Sequence, residues 1–273
     1  MRAQFNQFEA CPIDSAWFRA FRLPQDIVAI AEPYHRVQEV ISFLIFGSEK
    51  ALLFDTGMGV ENIKNVVDSL TGLPLVVVNS HTHFDHVGGN RLFDFVHVLD
   101  VPEAVARSEK GYALPEDDEN LDPAAFLVPV GKWENFFGGA PVQPVPDGHV
   151  FDLGGRLLTV EAVPGHAIDS LVLVDRENKL LFCGDTVYPG PLYAHLDGSA
   201  PLIYRDTMRR LAEKYSDYTL ICSHNEPLRP GSLLTAMADA FDAVCAKSPD
   251  LHETVEGETR CFDFDGFSIL TRK

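Results

Sequence analysis

No run of about 18 or more apolar residues occurs in the 273-residue chain, which removes a membrane-spanning helix from consideration. The N-terminal stretch also lacks the basic-then-apolar order of a signal peptide, so the expectation is a cytoplasmic protein with no membrane partner. Cysteine is sparse. Cys11, Cys183, Cys222, Cys245 and Cys261 are odd in number, widely scattered and never in a Cys-x-x-Cys pair. That spacing argues against a disulfide framework and for buried free thiols. Basic residues are few, 22 against 40 acidic, and the net charge of −18 repels polyanions over most of the surface. A nucleic-acid partner is therefore not expected, although a local basic groove stays open.

With 46% hydrophobic and 23% charged residues, the composition is that of an ordinary globular protein. The length fits one large α/β domain, residues 1–273, better than two independent ones. Within it one stretch concentrates the chemistry: Ser80 to Asn90 reads SHTHFDHVGGN. It follows the apolar run Leu75 to Val78 and runs into Gly88-Gly89, the pattern of a buried strand delivering side chains at its C-terminal end. A lone His, or one His-x-His, is usually a surface or satisfied core residue. His81, His83, Asp85 and His86 within six residues are far more specific. Four such donors exceed what one tetrahedral ion with an open position takes, so the loop asks for two metals.

The rest of the chain alternates strands and helices around further polar signatures. Ile27 to Glu32, Val37 to Phe46 and Ala51 to Phe54 read as strands, the last ending in Asp55-Thr56-Gly57. Val60, Ile63, Val66, Val67 and Leu70 recur at helical spacing with Gly72 as a stop. Phe95 to Leu99 reads as a strand and Pro102 to Lys110 as a helix. From Gly111 to Pro146 the chain is rich in Pro, Gly and acidic residues and carries Phe126, Trp133, Phe136 and Phe137. So long a loop is usually functional or disordered, and its aromatics form either a lid or wall or simply packing.

Beyond it, Arg156 to Val163 runs into a Gly165-His166 loop and Leu180 to Cys183 into Gly184-Asp185-Thr186, while Tyr218 to Cys222 precedes Ser223-His224. Helices are expected from about Pro201 to Tyr215 and across Leu233, Leu234, Met237, Phe241, Val244 and Cys245.

HTHFDH, then Gly-His, then Gly-Asp, then a final His after a strand resemble the metallo-β-lactamase-fold superfamily of hydrolases, in motif identity and order, from roughly Ile27 to Pro227. The resemblance implies an α/β fold, an αββα sandwich of two mixed sheets flanked by helices, with a dinuclear site at one edge. It implies that His81, His83 and His166 bind one divalent ion, Asp85, His86 and His224 a second, and that Asp185 bridges both. Zinc is the first expectation for the pair of metals, with iron or manganese as alternatives. Asp55 corresponds to a position that orients a ligand histidine from behind, or it is a turn-capping aspartate.

The family's chemistry is attack by a metal-bridging hydroxide on a polarised carbonyl or phosphoryl centre. Asp85 could also orient the attacking water, and Tyr188 or Tyr193 could steady the oxyanion or leaving group, unless those tyrosines are packing. A bridging Asp185 separates the chain from true β-lactamases. His83 stands where the oxygen-reducing diiron branch has glutamate, and no room or basic charge marks an RNA-binding arm. The ligand set is that of glyoxalase-II-like thioesterases, but Lys247 to Lys273 offers no obvious counterpart to their basic glutathione contacts. Ser223 departs from the commoner glycine before the last His, which affects loop geometry more than ligation. His35, His97, His149, His195 and His252 have ordinary roles in this reading, with His195 closest to the substrate border. The expectation is a hydrolase, thioesterase or lactonase, acting on a small acyl substrate. A phosphodiesterase with the same metals and a non-catalytic metal-holding sensor are the alternatives.

Overall fold

The computed structural model describes residues 3–131 and 133–273, and the chain divides into two compact units, Met1–Leu157 and Leu158–Lys273. Unit one is built on an eight-stranded sheet whose spatial order follows the chain. Strands β1 (Glu9–Cys11), β2 (Arg19–Leu23), β3 (Ile27–Ala31), β4 (Ile41–Phe46) and β5 (Ala51–Phe54) form an antiparallel meander. From β5 onward the pairing turns parallel: helix α1 (Ile63–Leu70) crosses to β6 (Leu75–Val78), the single turn α2 (Phe84–Val87) lies on the way to β7 (Val96–Leu99), and α3 (Pro102–Lys110) crosses to β8 (Val142–Val145). Strand β9 (Val150–Asp152) is the unit's last strand in chain order and lies outside the eight-stranded sheet.

Every residue of β3 and β5 is buried, which is why these strands read as continuous apolar runs rather than alternating ones. Helix α1 starts where Asn62 caps the backbone N–H of Asn65. Its Ile63, Val66 and Val67 share a core with Leu53, Val77 and Val96. Burial of such side chains contributes about 1.5–3 kcal/mol each.

Two expectations change here. The strand expected from Val37 begins at Ile41, because the His35 ring accepts the backbone N–H groups of Val37 and Gln38 at Nδ1, 3.3 and 3.0 Å, and bends the chain. The long loop expected to Pro146 ends instead in β8, an edge strand parallel to β7. An edge position tolerates Pro144, which has no N–H to donate. The insert's aromatics are packed: Phe126 and Phe137 are buried, Trp133 lies between their rings at 5.3 and 5.9 Å, and its indole N–H donates to the Met58 carbonyl at 3.1 Å.

Unit two contains β10 (Leu157–Ala162), β11 (Leu171–Asp175), β12 (Leu180–Phe182), β13 (Pro191–Tyr193), α4 (Pro201–Tyr215), β14 (Thr219–Ile221), β15 (Leu228–Pro230), α5 (Ser232–Cys245), β16 (Glu253–Glu256), β17 (Thr259–Phe264) and β18 (Phe267–Arg272). Strands β10, β11 and β12 are antiparallel neighbours, β14 pairs parallel to β12 after the α4 crossover, and β15 pairs back antiparallel. A second sheet of order β13-β18-β17-β16 comes from the C-terminal stretch, for which the sequence pattern carried no expectation. Helices α4 and α5 meet at Tyr204 and Phe241, rings 4.5 Å apart. All five cysteines are free thiols, of which Cys11, Cys183 and Cys222 are buried as expected while Cys245 and Cys261 are only half-buried.

Two glycine sites let the functional loops approach the framework. A Cβ on Gly88 would stand 2.2 Å from the Met58 carbonyl carbon, and one on Gly165 would stand 2.5 Å from the Tyr204 Cα. Both obstacles are backbone, which cannot swing aside. Gly88→Ala is expected to lower stability by about 1–3 kcal/mol, the usual cost of overpacking. Thermal unfolding of the purified variant checks this, and an unchanged midpoint would contradict the packing.

Candidate metal centre

In unit one the functional side chains follow directly from the end of β6. Asn79 to Thr82 is buried, and α2 begins after His83, whose carbonyl accepts the His86 N–H at 3.1 Å. This one turn sets Asp85 and His86 side by side and folds the loop so that the His81 ring lies 4.5 Å from His83 and 4.3 Å from His86, centre to centre. Ring nitrogens of His81 and His83 lie within 4.8 Å of each other, as do donor atoms of Asp85 and His86; His86 Nε2 is 3.5 Å from Asp85 Oδ2.

Behind the loop, Asp55 is fully buried and has the left-handed φ of +66°, an uncommon conformation that Asp tolerates better than most residues. It caps no helix. Its Oδ1 accepts the Ser80 N–H at 2.7 Å, and its Oδ2 accepts the Ser80 hydroxyl and the His86 Nδ1–H, both at 2.9 Å. Since the Ser80 hydroxyl donates to Asp55, it receives the Nδ1–H of His81 at 3.0 Å. One carboxylate therefore sets the tautomer of two histidines, directly and through a serine, with the lone pair of each at Nε2.

Sequence reasoning missed a supporting layer. The His86 carbonyl accepts from Thr56 Oγ1 at 3.1 Å and Asn79 Nδ2 at 3.2 Å, and Asn79 and Asn90 exchange amide hydrogen bonds at 2.9 and 3.1 Å. All three side chains are buried. Their only signal was position, since Ser80 and Asn90 bound the loop and Asn79 precedes it, and residues so common in loops carry little information alone. Glu32 was missed too. Buried at the end of β3, it accepts the Trp17 indole N–H and, at 2.9 Å, the Met58 N–H. It thereby braces the turn that follows Asp55.

In unit two, His166, Asp185 and His224 come from three separate loops. His166 donates from Nδ1 to the Tyr193 carbonyl at 3.1 Å, and its own carbonyl accepts the Ser199 hydroxyl at 2.6 Å. Asp185 follows β12; the Tyr204 hydroxyl donates to the carbonyls of Asp185 and Thr186 at 3.1 and 2.8 Å. The two Asp185 carboxylate oxygens face different histidines: Oδ1 is 3.0 Å from His224 Nε2 and Oδ2 is 3.6 Å from His166 Nε2. Tyr188 is buried with its hydroxyl donating to the Pro191 carbonyl and its ring 5.0 Å from His224. Tyr193 is half-buried, its ring 5.6 Å from His195.

Imidazoles with fixed Nδ1–H groups and buried carboxylates are the donors that zinc, iron and manganese accept. The remaining histidines are occupied elsewhere. His35 and His97 make backbone contacts, with burial pushing both toward the neutral form. His149 meets Phe151 edge-on with ring centres 4.6 Å apart, and His252 is exposed beside Asp263.

A family model described as "Metallo-beta-lactamase superfamily" matches residues 37–224. Acyl-coenzyme A thioesterase MBLAC2 of Bos taurus is 35% identical over 188 residues, 63% of this chain and 66% of that protein, so the chain spans just under two thirds of that relative's length. Hydroxyacylglutathione hydrolase of Serratia proteamaculans (strain 568) is 27% identical over 164 residues, 60% of this chain and 53% of that protein. Among solved structures, MIM-2 metallo-beta-lactamase aligns with a TM-score of 0.58 at 20% identity, covering 90% of this chain and 97% of that one. At that identity the likeness shows a common fold.

Burial pushes the Glu32 carboxyl up to about 7, against the opposing hydrogen bonds from Trp17 and Met58. Because the unfolded carboxyl ionises near its ordinary value of about 4.5, the unfolded chain loses this proton first. Below that value the group is neutral in both states; between there and 7 stability falls as pH rises, and above 7 the deficit is constant. Relative to Glu32→Gln, which does not titrate, the wild type is expected to lose on the order of 1–3 kcal/mol between pH 5 and pH 8. Chemical denaturation of both proteins across that range checks the sign, and a pH-independent difference would contradict it.

Proposed function

The chain belongs to the metallo-beta-lactamase superfamily, and from that premise we propose that it is a dinuclear metal-dependent hydrolase cleaving an ester-like bond, a thioester before a lactone, in a small acyl substrate. His81, His83 and His166 would hold one ion and Asp85, His86 and His224 the other, with Asp185 as the carboxylate available to both. The observation that carries this reading is Asp185, whose two oxygens turn to two different histidines at 3.0 and 3.6 Å. A carboxylate serving only as a structural ion-pair partner has no need to divide itself in this way.

The two ions, zinc by donor preference with iron or manganese as alternatives, supply when bound a lowered water pKa and polarisation of the substrate carbonyl. The protein's own part is orientation. Asp55, Ser80 and the Tyr193 carbonyl fix the Nδ1 protons of His86, His81 and His166, so these three imidazoles need not reorient during turnover. Asp85, almost completely buried, offers an acceptor oxygen to the attacking water. Tyr188 is a positioning residue, packing on His224 with its hydroxyl committed to Pro191. The half-buried Tyr193 is the better donor for the developing oxyanion or leaving group.

The bovine relative is named for acyl-coenzyme A thioester cleavage and the bacterial one for hydroxyacylglutathione hydrolysis; both favour an acyl over a phosphodiester substrate. The surplus of acidic residues, 40 against 22 basic, also weighs against a nucleic-acid phosphodiester as substrate.

Metal-loaded protein is expected to hydrolyse an acyl-coenzyme A thioester faster than an activated phosphodiester. Asp185→Asn should reduce that activity by more than about 100-fold, the upper end of what loss of a mere supporting partner costs. Steady-state assays on a thioester, a lactone and a phosphodiester with one preparation decide it. Phosphodiester cleavage alone, or an active Asp185→Asn, would overturn the reading.

A further inference from the structure

Beside the His166 loop, unit two carries a cavity of about 210 Å³ lined by His195, Asp197, Ser199, Thr271 and Arg272. It shares His195, Leu196, Asp197 and Arg272 with a wider cleft of about 600 Å³ that Glu258 and Lys273 also bound. Two hydrogen bonds tie this cavity to the functional loop. Ser199, on its wall, donates to the His166 carbonyl at 2.6 Å, and Tyr193, two residues before His195, holds His166 Nδ1 at 3.1 Å.

Arg272 is prepared for an anion. Its Nε donates to the His195 carbonyl at 2.6 Å, which sets the plane of the guanidinium. Its Nη2 meets Asp197, but in that ion pair Arg272 is 64% and Asp197 98% exposed. Exposed pairs of this kind are weak and readily exchanged for a better-placed anion. Lys273 follows directly and forms no ion pair with a side chain among the described residues. Several other cations of unit two are tied to acids on surfaces that line neither space, as in Lys179 with Asp217, Arg209 with Asp242 and Arg260 with Glu253. On a chain of net charge −18, a paired arginine and lysine at the mouth of a cavity call for a reason.

We propose that the Arg272–Lys273 cleft binds the phosphates of the thioester's carrier group, so that coenzyme A thioesters are the preferred substrates and free coenzyme A the retained product. The inference rests on the thioesterase reading above and adds to it the recognition of the leaving group. A planar guanidinium with its plane already fixed suits bidentate contact to phosphate oxygens. A space of about 600 Å³ is also far larger than a lone carboxylate requires, and leaves room for an extended phosphate-bearing carrier group. Arg272 comes to this place only because β18 runs parallel to β13, with Tyr193 opposite Leu270, and that pairing carries it past His195.

The test uses the metal-loaded full chain, Arg272→Gln and Arg272→Lys, with circular dichroism to confirm that the variants fold. Calorimetry with free coenzyme A is expected to show binding about tenfold weaker in Arg272→Gln, the loss of one charge-assisted hydrogen bond, with partial recovery in Arg272→Lys. Pantetheine, which lacks the nucleotide phosphates, should bind all three proteins alike. In kinetics, KM for an acyl-coenzyme A should rise by a similar factor with kcat little changed, whereas an acyl-N-acetylcysteamine thioester should be unaffected. Unaltered coenzyme A binding in Arg272→Gln would overturn the proposal. An equal loss on both thioesters would do the same by showing a merely structural role. If no thioester is cleaved yet coenzyme A binding still depends on Arg272, the subsite stands and the reaction assignment fails.

Discussion

The buried carboxylate of Asp55 is the constraint on which the histidine loop of unit one depends. A fully buried charge is costly unless its oxygens are paired, and Asp55 accepts three hydrogen bonds, two from Ser80 and one from His86. Those bonds hold Ser80 and His86 in place, and through the Ser80 hydroxyl they also fix His81. The left-handed backbone at Asp55 costs about 1–3 kcal/mol by itself, which is tolerable only because the surroundings specify it so fully. Thr56, Asn79 and Asn90 add a second anchor through the His86 carbonyl. Gly88 then allows the loop to lie directly on the Met58 backbone.

Unit two follows the same logic with different parts. His166 is set by a main-chain carbonyl rather than a carboxylate, and the Tyr204 hydroxyl pins the turn carrying Asp185 from below. Gly165, in contact with the Tyr204 backbone, joins the first of these loops to the same helix. Apart from Asp85 and His86 on the single turn α2, the candidate metal ligands lie in loops, and in both units the long strands and helices serve mainly as framework. They fix the loop ends, and hydrogen bonds to Nδ1 and to main-chain carbonyls do the remaining positioning. The arrangement suits a preorganised centre in which little reorganises on reaction.

Much of this was legible beforehand where local pattern decides structure. Pro102–Lys110 and Pro201–Tyr215 have proline at the first helical position and helical apolar spacing, so their bounds could be read directly. The His-x-His-x-Asp-His run declared its chemistry through residue types alone. What escaped reading depends on distant partners. Strand β8 contains Pro144 and is a strand only because β7 is beside it. The C-terminal hairpin acquires its fourth neighbour, β13, from far back in the chain, and β13 has three residues, too few to show a period. Asp55 carried two readings because capping and orienting use the same side chain. Only the partners of its oxygens separate them, and a positive φ on a non-glycine residue leaves no mark in the sequence.

If Asp55 organises the ligands as described, its loss must be felt in metal retention before it is felt in the fold. The most direct measurement is the metal content, by atomic emission, of wild type and Asp55→Asn after dialysis against a weak chelator, with far-ultraviolet circular dichroism on the same samples. The asparagine keeps the shape but presents an amide where Ser80 and His86 need an acceptor. The account predicts wild type near two ions per chain and a clear deficit in the variant, with both spectra alike. A variant that keeps its full complement of metal under these conditions would contradict it.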